Sequence, residues 1–336
     1  MSTLSQSQVF QSQLNKNITK FKFMNYAPVL IPTLNRYEHF KRCVESLSQC
    51  IYANETDLII ALDYPLKTEH WDGYTKIKDY ISSIVTFKSV TIIVRDINFG
   101  AYKNLFEAID SVFEKYDRFI LSEDDNVFSI DFLAFINKGL HVYEKRNDVF
   151  SISGYNYPII TPTNYQKDIY IWQGFSAWGV GLWKEKWQKV VWEKEVSLKI
   201  MKSFLNNYFK VYKYQKIANH YFLATIEMVK QDNLIGDGYI SLHHFINNMY
   251  TVFPNISRVR NLGHDGSGIN CGFMENDIYG LQDLYVGSLD SYNLPSDIKP
   301  NVEINKILSK HFKTSFKEKI KTVVKLIMLN NGIWYK

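Results

Sequence analysis

A chain of 336 residues with 46% hydrophobic and 15% aromatic side chains can bury a large core, which excludes a disordered or fibrous protein. No apolar run reaches the roughly 18 residues needed to cross a bilayer, and the opening segment 1–24 has no apolar leader core, so a cytoplasmic location is expected. The net charge of +5 sits in the tail: Lys299–Lys336 holds nine lysines and two glutamates, leaving −2 for the rest and arguing against a nucleic-acid-binding body.

Segment 1–24 reads as a polar extension. The run Val29–Ile31 then stops at Pro32, and helical spacing follows through Phe40, Val44 and Leu47, which predicts strand, loop and helix. The pattern recurs: "DLIIALDYP" is a strand, "YTKIKDYISSIV" a helix, "SVTIIVRD" a strand, "AYKNLFEAIDSVFEKY" a helix and "RFILSEDD" a strand. Such alternation argues for an α/β fold with a doubly wound, mostly parallel sheet, in which ligands bind beyond the carboxyl ends of the strands. Pro32–Arg36, Asp63, Asp96–Gly100 and Glu123–Asp125 all fall at those ends.

Beyond Asn126 the pattern changes. "SIDFLAFINKGLHVYEK" predicts a helix with Ser129 as N-cap, "VFSISGYNYP" follows, and then comes the aromatic block "YIWQGFSAWGVGLWKEKW". Within it Trp183 and Trp187 have the i, i+4 spacing of one helix face. Residues 199–231 read as largely helical, and "NLGHDGSG" as a glycine-rich loop. With no repeat and no linker, residues 25–290 form one domain with halves 25–126 and 127–290, followed by the tail 291–336. In that tail Leu308, Phe312, Phe316, Ile320, Val323 or Val324, and Ile327 make an apolar stripe among lysines. It either lies on an anionic membrane surface or packs on the body.

Glu123, Asp124 and Asp125 pose a question of charge. Adjacent buried carboxylates repel unless something positive sits among them. Oxygen ligands alone suit a hard dication, Mn2+ or Mg2+, which would also hold a diphosphate. The alternative is an acidic turn capping the next helix.

The layout resembles that of GT-A-fold glycosyltransferases, close to family 2 and to the N-acetylglucosaminyltransferase I type. The resemblance rests on "PVLIPTLNR", "ALDYP", "RDINFGAYKNLFEAI", "FILSEDDNVFSIDFLAFI" and "FSAWGVGLWKEKW", in that order, and covers about residues 27–270. It implies a nucleotide-sugar half, 25–126, and an acceptor half, 127–290. It also implies metal-dependent, inverting transfer from a nucleotide sugar, UDP-linked by preference, to a glycan or lipid-linked acceptor in surface polysaccharide synthesis. By that resemblance Asp125 ligates the metal, Asp124 and Glu123 act through bound water or donor hydroxyls, and Asp63 reads the base. Thr33, Asn35 and Arg36 line the nucleotide pocket, Asn98 and Gly100 pass beside it, and Arg95 or Lys103 reaches the diphosphate. Many such enzymes supply a late histidine ligand to the metal, and His264 is the candidate for it here. Related sequences carry that histidine further on, at Ile269–Cys271 of this chain.

The acceptor side needs a carboxylate to take the hydroxyl proton. Asp237, between two glycines before a helix, is the first candidate, with simple capping of that helix as the alternative. Phe175, Trp178 and Gly179 are the expected acceptor contacts. A sugar nucleotidylyltransferase is the rival enzyme, but "IPTLNRYEHF" lacks the glycine-rich phosphate loop such an enzyme carries after its first strand. A non-catalytic glycan- or nucleotide-binding protein is the other.

Overall fold

The computed structural model describes residues 25–232, 234, 236–268, 272–287, 292–313 and 315–331. The extension 1–24, the positions Ile269–Cys271 and the final 332–336 lie outside the described residues.

The first half alternates as its sequence predicts. β1 (Val29–Thr33), α1 (Tyr37–Ser48), β2 (Asp57–Leu62), α2 (His70–Ile81), β3 (Ser89–Val94), α3 (Gly100–Phe113) and β4 (Arg118–Leu121) follow in order. All six residues of β2 are buried, as expected of an apolar strand covered on both faces. β3 is an edge strand whose Ile92 and Val94 are exposed.

The second half contributes β5 (Asn126–Phe128), α4 (Phe132–Val142), β6 (Val149–Ser153), β7 (Ile169–Trp172), β8 (Val180–Trp183) and the single turn α5 (Lys184–Trp187). A helical layer follows: α6 (Lys194–Leu205), α7 (Tyr208–Ile217), α8 (Asn219–Gln231) and α9 (Gly236–Asn247). β9 (Tyr250–Pro254), β10 (Val259–Asn261), α10 (Val302–His311) and α11 (Phe316–Asn330) are the last elements among the described residues. Eight strands make one sheet in the order β3-β2-β1-β4-β8-β6-β9-β7. Strands β1 to β4 pair in parallel, β8 runs antiparallel between β4 and β6, and β7 runs antiparallel to β9. The fold is therefore α/β with a mostly parallel, mixed sheet.

Two local expectations are corrected. The helix after β5 begins at Phe132 with Asp131, not Ser129, as its N-cap residue. Ser129 instead donates its hydroxyl to Asp131 (2.6 Å), whose other oxygen takes the buried Arg258 guanidinium (3.1 Å). Trp183 and Trp187 do not share a helix, because Trp183 ends β8 and the turn begins after it.

The tail divides. α10 buries Ile304 and Leu308, and Phe312 just beyond it stacks on Trp172 with ring centroids 5.6 Å apart, so this part packs on the body. α11 buries Thr322 and Leu326 and pairs Lys325 with Glu227 of α8 (2.8 Å), yet leaves Ile320, Val323, Val324 and Ile327 exposed.

Candidate active site

The carboxyl ends of β1 and β4 lie side by side, because these strands pair in parallel. That adjacency delivers Thr33 and Arg36 to the acidic triplet. Thr33 donates its hydroxyl to one oxygen of Asp124 (2.8 Å), and Arg36 donates to the other. The same guanidinium nitrogen lies 2.8 Å from Asp125. The positive charge among the carboxylates is thus, in the first instance, Arg36.

From the opposite side comes β10, which pairs antiparallel with β5 and sets Asn261 opposite Asn126. The Asn261 amide donates to Asp125 (2.6 Å), and the Leu262 N–H bonds the Asp125 carbonyl (2.9 Å). Gly263 then passes so close that an added Cβ would lie 2.2 Å from a carboxylate oxygen of Asp125. Past it, Asp265 and Ser267 are held by the His39 ring of α1 (2.9 and 3.2 Å). The buried Arg258–Asp131 pair, flanked by Phe135 and Tyr285 with the guanidinium 4.1 Å from each ring centre, anchors the strand that carries this loop.

Glu123 is held differently. Its carboxylate accepts the indole N–H of Trp178 (3.1 Å). Burial first, then the charges of Asp125, Asp237 and Asp124, raise its pKa to about 8. Asp237, in the first turn of α9, contributes that charge from the second half and accepts the Ala177 backbone N–H. Burial raises Asp237 to about 7. Burial also raises Asp124, against the opposing pull of Arg36. The Tyr102 hydroxyl of α3 lies in the field of both Asp237 and Glu123, although burial is the larger cause of its own raised pKa. Around the pocket, Trp178 meets Tyr155, His264 and Tyr279 edge-on.

The other expected site residues are placed as follows. Asp63 accepts the Phe99 and Gly100 N–H groups at the start of α3 (2.8 Å each) and the Asn98 amide (3.3 Å), so its carboxylate caps that helix. Gly100 is left-handed there, with φ of 74°. The Asn35 carbonyl lies against Gly73, where a Cβ would collide. Arg95 donates to Asn104 (2.9 Å) and lies over Phe99, and the exposed Lys103 covers the same ring. His264 stacks on Tyr279 and has its Nδ1 3.6 Å from Asp277. Phe175 does not reach a cleft: its side chain is 1% exposed and packs in the core against Phe150 and His244. Gly179, at φ of 68°, is required by the close approach of Val259 and Phe132, not by a ligand. Trp178 alone of the three expected acceptor contacts borders the acidic pocket.

Asp124 and Asp125 together share one guanidinium, that of Arg36, and hard oxygen donors of this kind are what a divalent cation takes. Asp124 and Asp125, the two carboxylates already gripping a cation, are the groups that fit it. Among the described residues no three His, Cys, Asp or Glu side chains are arranged as a ready ligand set, and His264 does not join the aspartates. Sequence reasoning missed Asn261, Gly263, His39 and Tyr102. Only "NLGHDGSG" signalled the loop, and nothing local signals which carboxylate it covers.

No protein-family model matches the chain, and no curated protein matches it. Among solved structures, a mannosyltransferase from Pyrobaculum calidifontis in complex with GDP-Man and Mn2+ aligns at 10% identity and a TM-score of 0.37. That alignment covers 70% of this chain and 76% of the other. S. aureus TarS aligns at 10% identity and a TM-score of 0.32 over 46% of this chain, which spans only 28% of the TarS chain. Its segment 1–349 aligns at 12% identity and a TM-score of 0.32, covering 47% of each chain. Likeness at this distance assigns no activity, so the geometry carries the reading.

Proposed function

We propose that the chain is a glycosyltransferase that uses a nucleotide sugar and inverts the anomeric centre in one displacement. The observation that supports this is the Asp124–Asp125 pair gripped by Arg36 at the rim of the sheet, with Asp237 of the second half near enough for its charge to raise Glu123. The first half offers a cation-holding edge for a diphosphate, and the second offers a carboxyl whose pKa is near neutrality, suited to taking a proton. The family resemblance favours UDP as the nucleotide and a glycan or lipid-linked acceptor.

In the proposed reaction Asp237, ionised, accepts the proton of the acceptor hydroxyl. The hydroxyl oxygen attacks the anomeric carbon, and the bond to the diphosphate breaks with its electron pair leaving on the phosphate oxygen. Trp178 fixes Glu123 by its indole N–H, and in the proposed reaction this carboxyl, raised to about 8, hydrogen-bonds the sugar hydroxyls. Thr33 and Asn261 hold the aspartates in place so that little reorganisation accompanies charge transfer. Mn2+ or Mg2+, when held by Asp124 and Asp125, supplies neutralisation of the leaving diphosphate. A loop Pro32–Arg36 without glycine continues to disfavour nucleotidyl transfer.

Incubation of the full chain with a panel of UDP- and GDP-sugars and Mn2+, followed by detection of released nucleoside diphosphate, tests the reading. Turnover of one donor, abolished in Asp237→Asn, is expected. If no donor is consumed with any metal, the transferase reading fails.

A further inference from the structure

α11 has two contrasting faces. One, with Thr322 and Leu326, is buried against the helical layer. The other turns Ile320 (50% exposed), Val323 (50%), Val324 (48%) and Ile327 (47%) to solvent, flanked by the exposed Lys317 and Lys321. These positions fall within about a third of a turn of one another on a helix of 3.6 residues per turn, so they form one continuous stripe. α7, which packs on α8 as α11 does, carries a second face of similar chemistry. Its Val211 and Tyr214 point inward, whereas Tyr208, Phe209 and Tyr212 are more than half exposed. Lys213 covers Phe209 at 4.3 Å and Lys216 covers Tyr212 at 4.2 Å. α7 contains three lysines and no acidic residue.

Exposed side chains of this size cluster where something covers them. We propose that α11 lies in the plane of an anionic lipid surface, with its apolar stripe entering the headgroup boundary, and that α7 makes a second contact there. Two observations favour lipid over a second copy of the chain. Both faces are basic, so like faces repel. Tyrosine and phenylalanine bordered by lysine also suit the interface, where the ring sits at headgroup depth and the ammonium reaches phosphate. At 15 residues α11 is about 22 Å long, and no described helix is long and apolar enough to cross a membrane, so α11 lies on the surface. The proposal is independent of turnover, because it concerns only where the chain sits.

Cosedimentation of the full chain with vesicles tests it. Binding to phosphatidylcholine vesicles containing phosphatidylglycerol is expected at low salt, with weakening as salt rises and none to phosphatidylcholine alone. Removing both flanking charges in Lys317→Ala/Lys321→Ala should weaken binding roughly thirtyfold. Ile320→Ser/Val324→Ser should weaken it by about tenfold or more, and Phe209→Ser/Tyr212→Ser by less. Because all six side chains face solvent, each variant should keep the parent's thermal midpoint, and the lysine pair tests the idea even if an apolar variant misfolds. No cosedimentation at low salt, or undiminished binding by the α11 variants, overturns the proposal. So does a lipid-free dimer, seen by sedimentation velocity, that Ile320→Ser/Val324→Ser dissolves, since the face would then belong to a second copy.

Discussion

Asp124 and Asp125 on one side, and Glu123 and Asp237 on the other, are neighbouring carboxyl pairs with opposite kinds of support. The first pair receives a hydroxyl, a guanidinium and an amide. The second receives one indole N–H and one backbone N–H between its two carboxyls. Donors and cations that bond a carboxylate oppose the upward push of burial, as Arg36 and Thr33 do at Asp124, whereas a buried carboxyl with few donors is more ready to bind a proton. A well-braced pair is held in place, and a carboxyl raised towards neutrality can serve as an acid or base. The rim of the sheet therefore offers both kinds of carboxyl through unequal hydrogen bonding.

The sharpest way to break this contrast is Asp237→Asn, which keeps the shape and removes the proton acceptor. The rate of transfer is expected to fall about 10²–10⁴-fold with donor affinity nearly unchanged, read by steady-state kinetics and donor titration. A variant retaining half the parent's rate would move the base elsewhere. Next is Arg36→Ala. If the guanidinium competes with a dication for the aspartates, calorimetric Mn2+ affinity in the absence of nucleotide should rise by roughly tenfold or more in the variant. Unchanged or weaker Mn2+ binding would separate Arg36 from the cation's place.

A smaller effect is expected from Gly263→Ala, whose methyl must displace the Asp125 carboxylate or the loop. A loss of about 1–3 kcal/mol in urea unfolding is expected, together with weakened Mn2+ binding. The wild-type stability with altered metal affinity would show that the loop gives way and the carboxylate moves.

The smallest effect is on pH-dependent stability. Burial raises Glu123 to about 8 and Asp237 to about 7, so the folded protein keeps protons that the unfolded chain releases above about pH 4. Stability from these groups is full below that pH and falls as pH rises through 7 and 8. The thermal midpoint of the metal-free chain should therefore drop between about pH 5 and about pH 9. The drop should be smaller in Asp237→Asn. A midpoint that rises over this range would place both carboxyls in a better-bonded setting than the one described.

Much of the first half follows from local pattern. Strand and helix periods, the proline after β1 and the acidic turn after β4 all lie within short windows, so alternation and the position of the triplet at the sheet rim are legible in sequence. The second half is less legible because its strands pair out of order, with β8 inserted between β4 and β6 and β9 between β6 and β7. Phe175 and Gly179 illustrate the difficulty: an aromatic and a glycine beside a cleft look alike in sequence whether they touch ligand or fill the core. The tail shows it too, since one stripe of apolar residues is buried in α10 and solvent-facing in α11.

The sequence by itself determined the chemical inventory: a carboxylate triplet after an apolar strand, a lone aspartate before a distant helix, and a lysine-rich tail. Only the tertiary structure decided that Arg36 and Asn261, 88–89 and 136 residues from the aspartates they bond, brace one pair, while the charge of Asp237 bears on a Glu123 that has few donors. The reason is physical. A carboxyl's role depends on burial and on which donors surround it, and those are set by contacts between chain segments far apart in sequence.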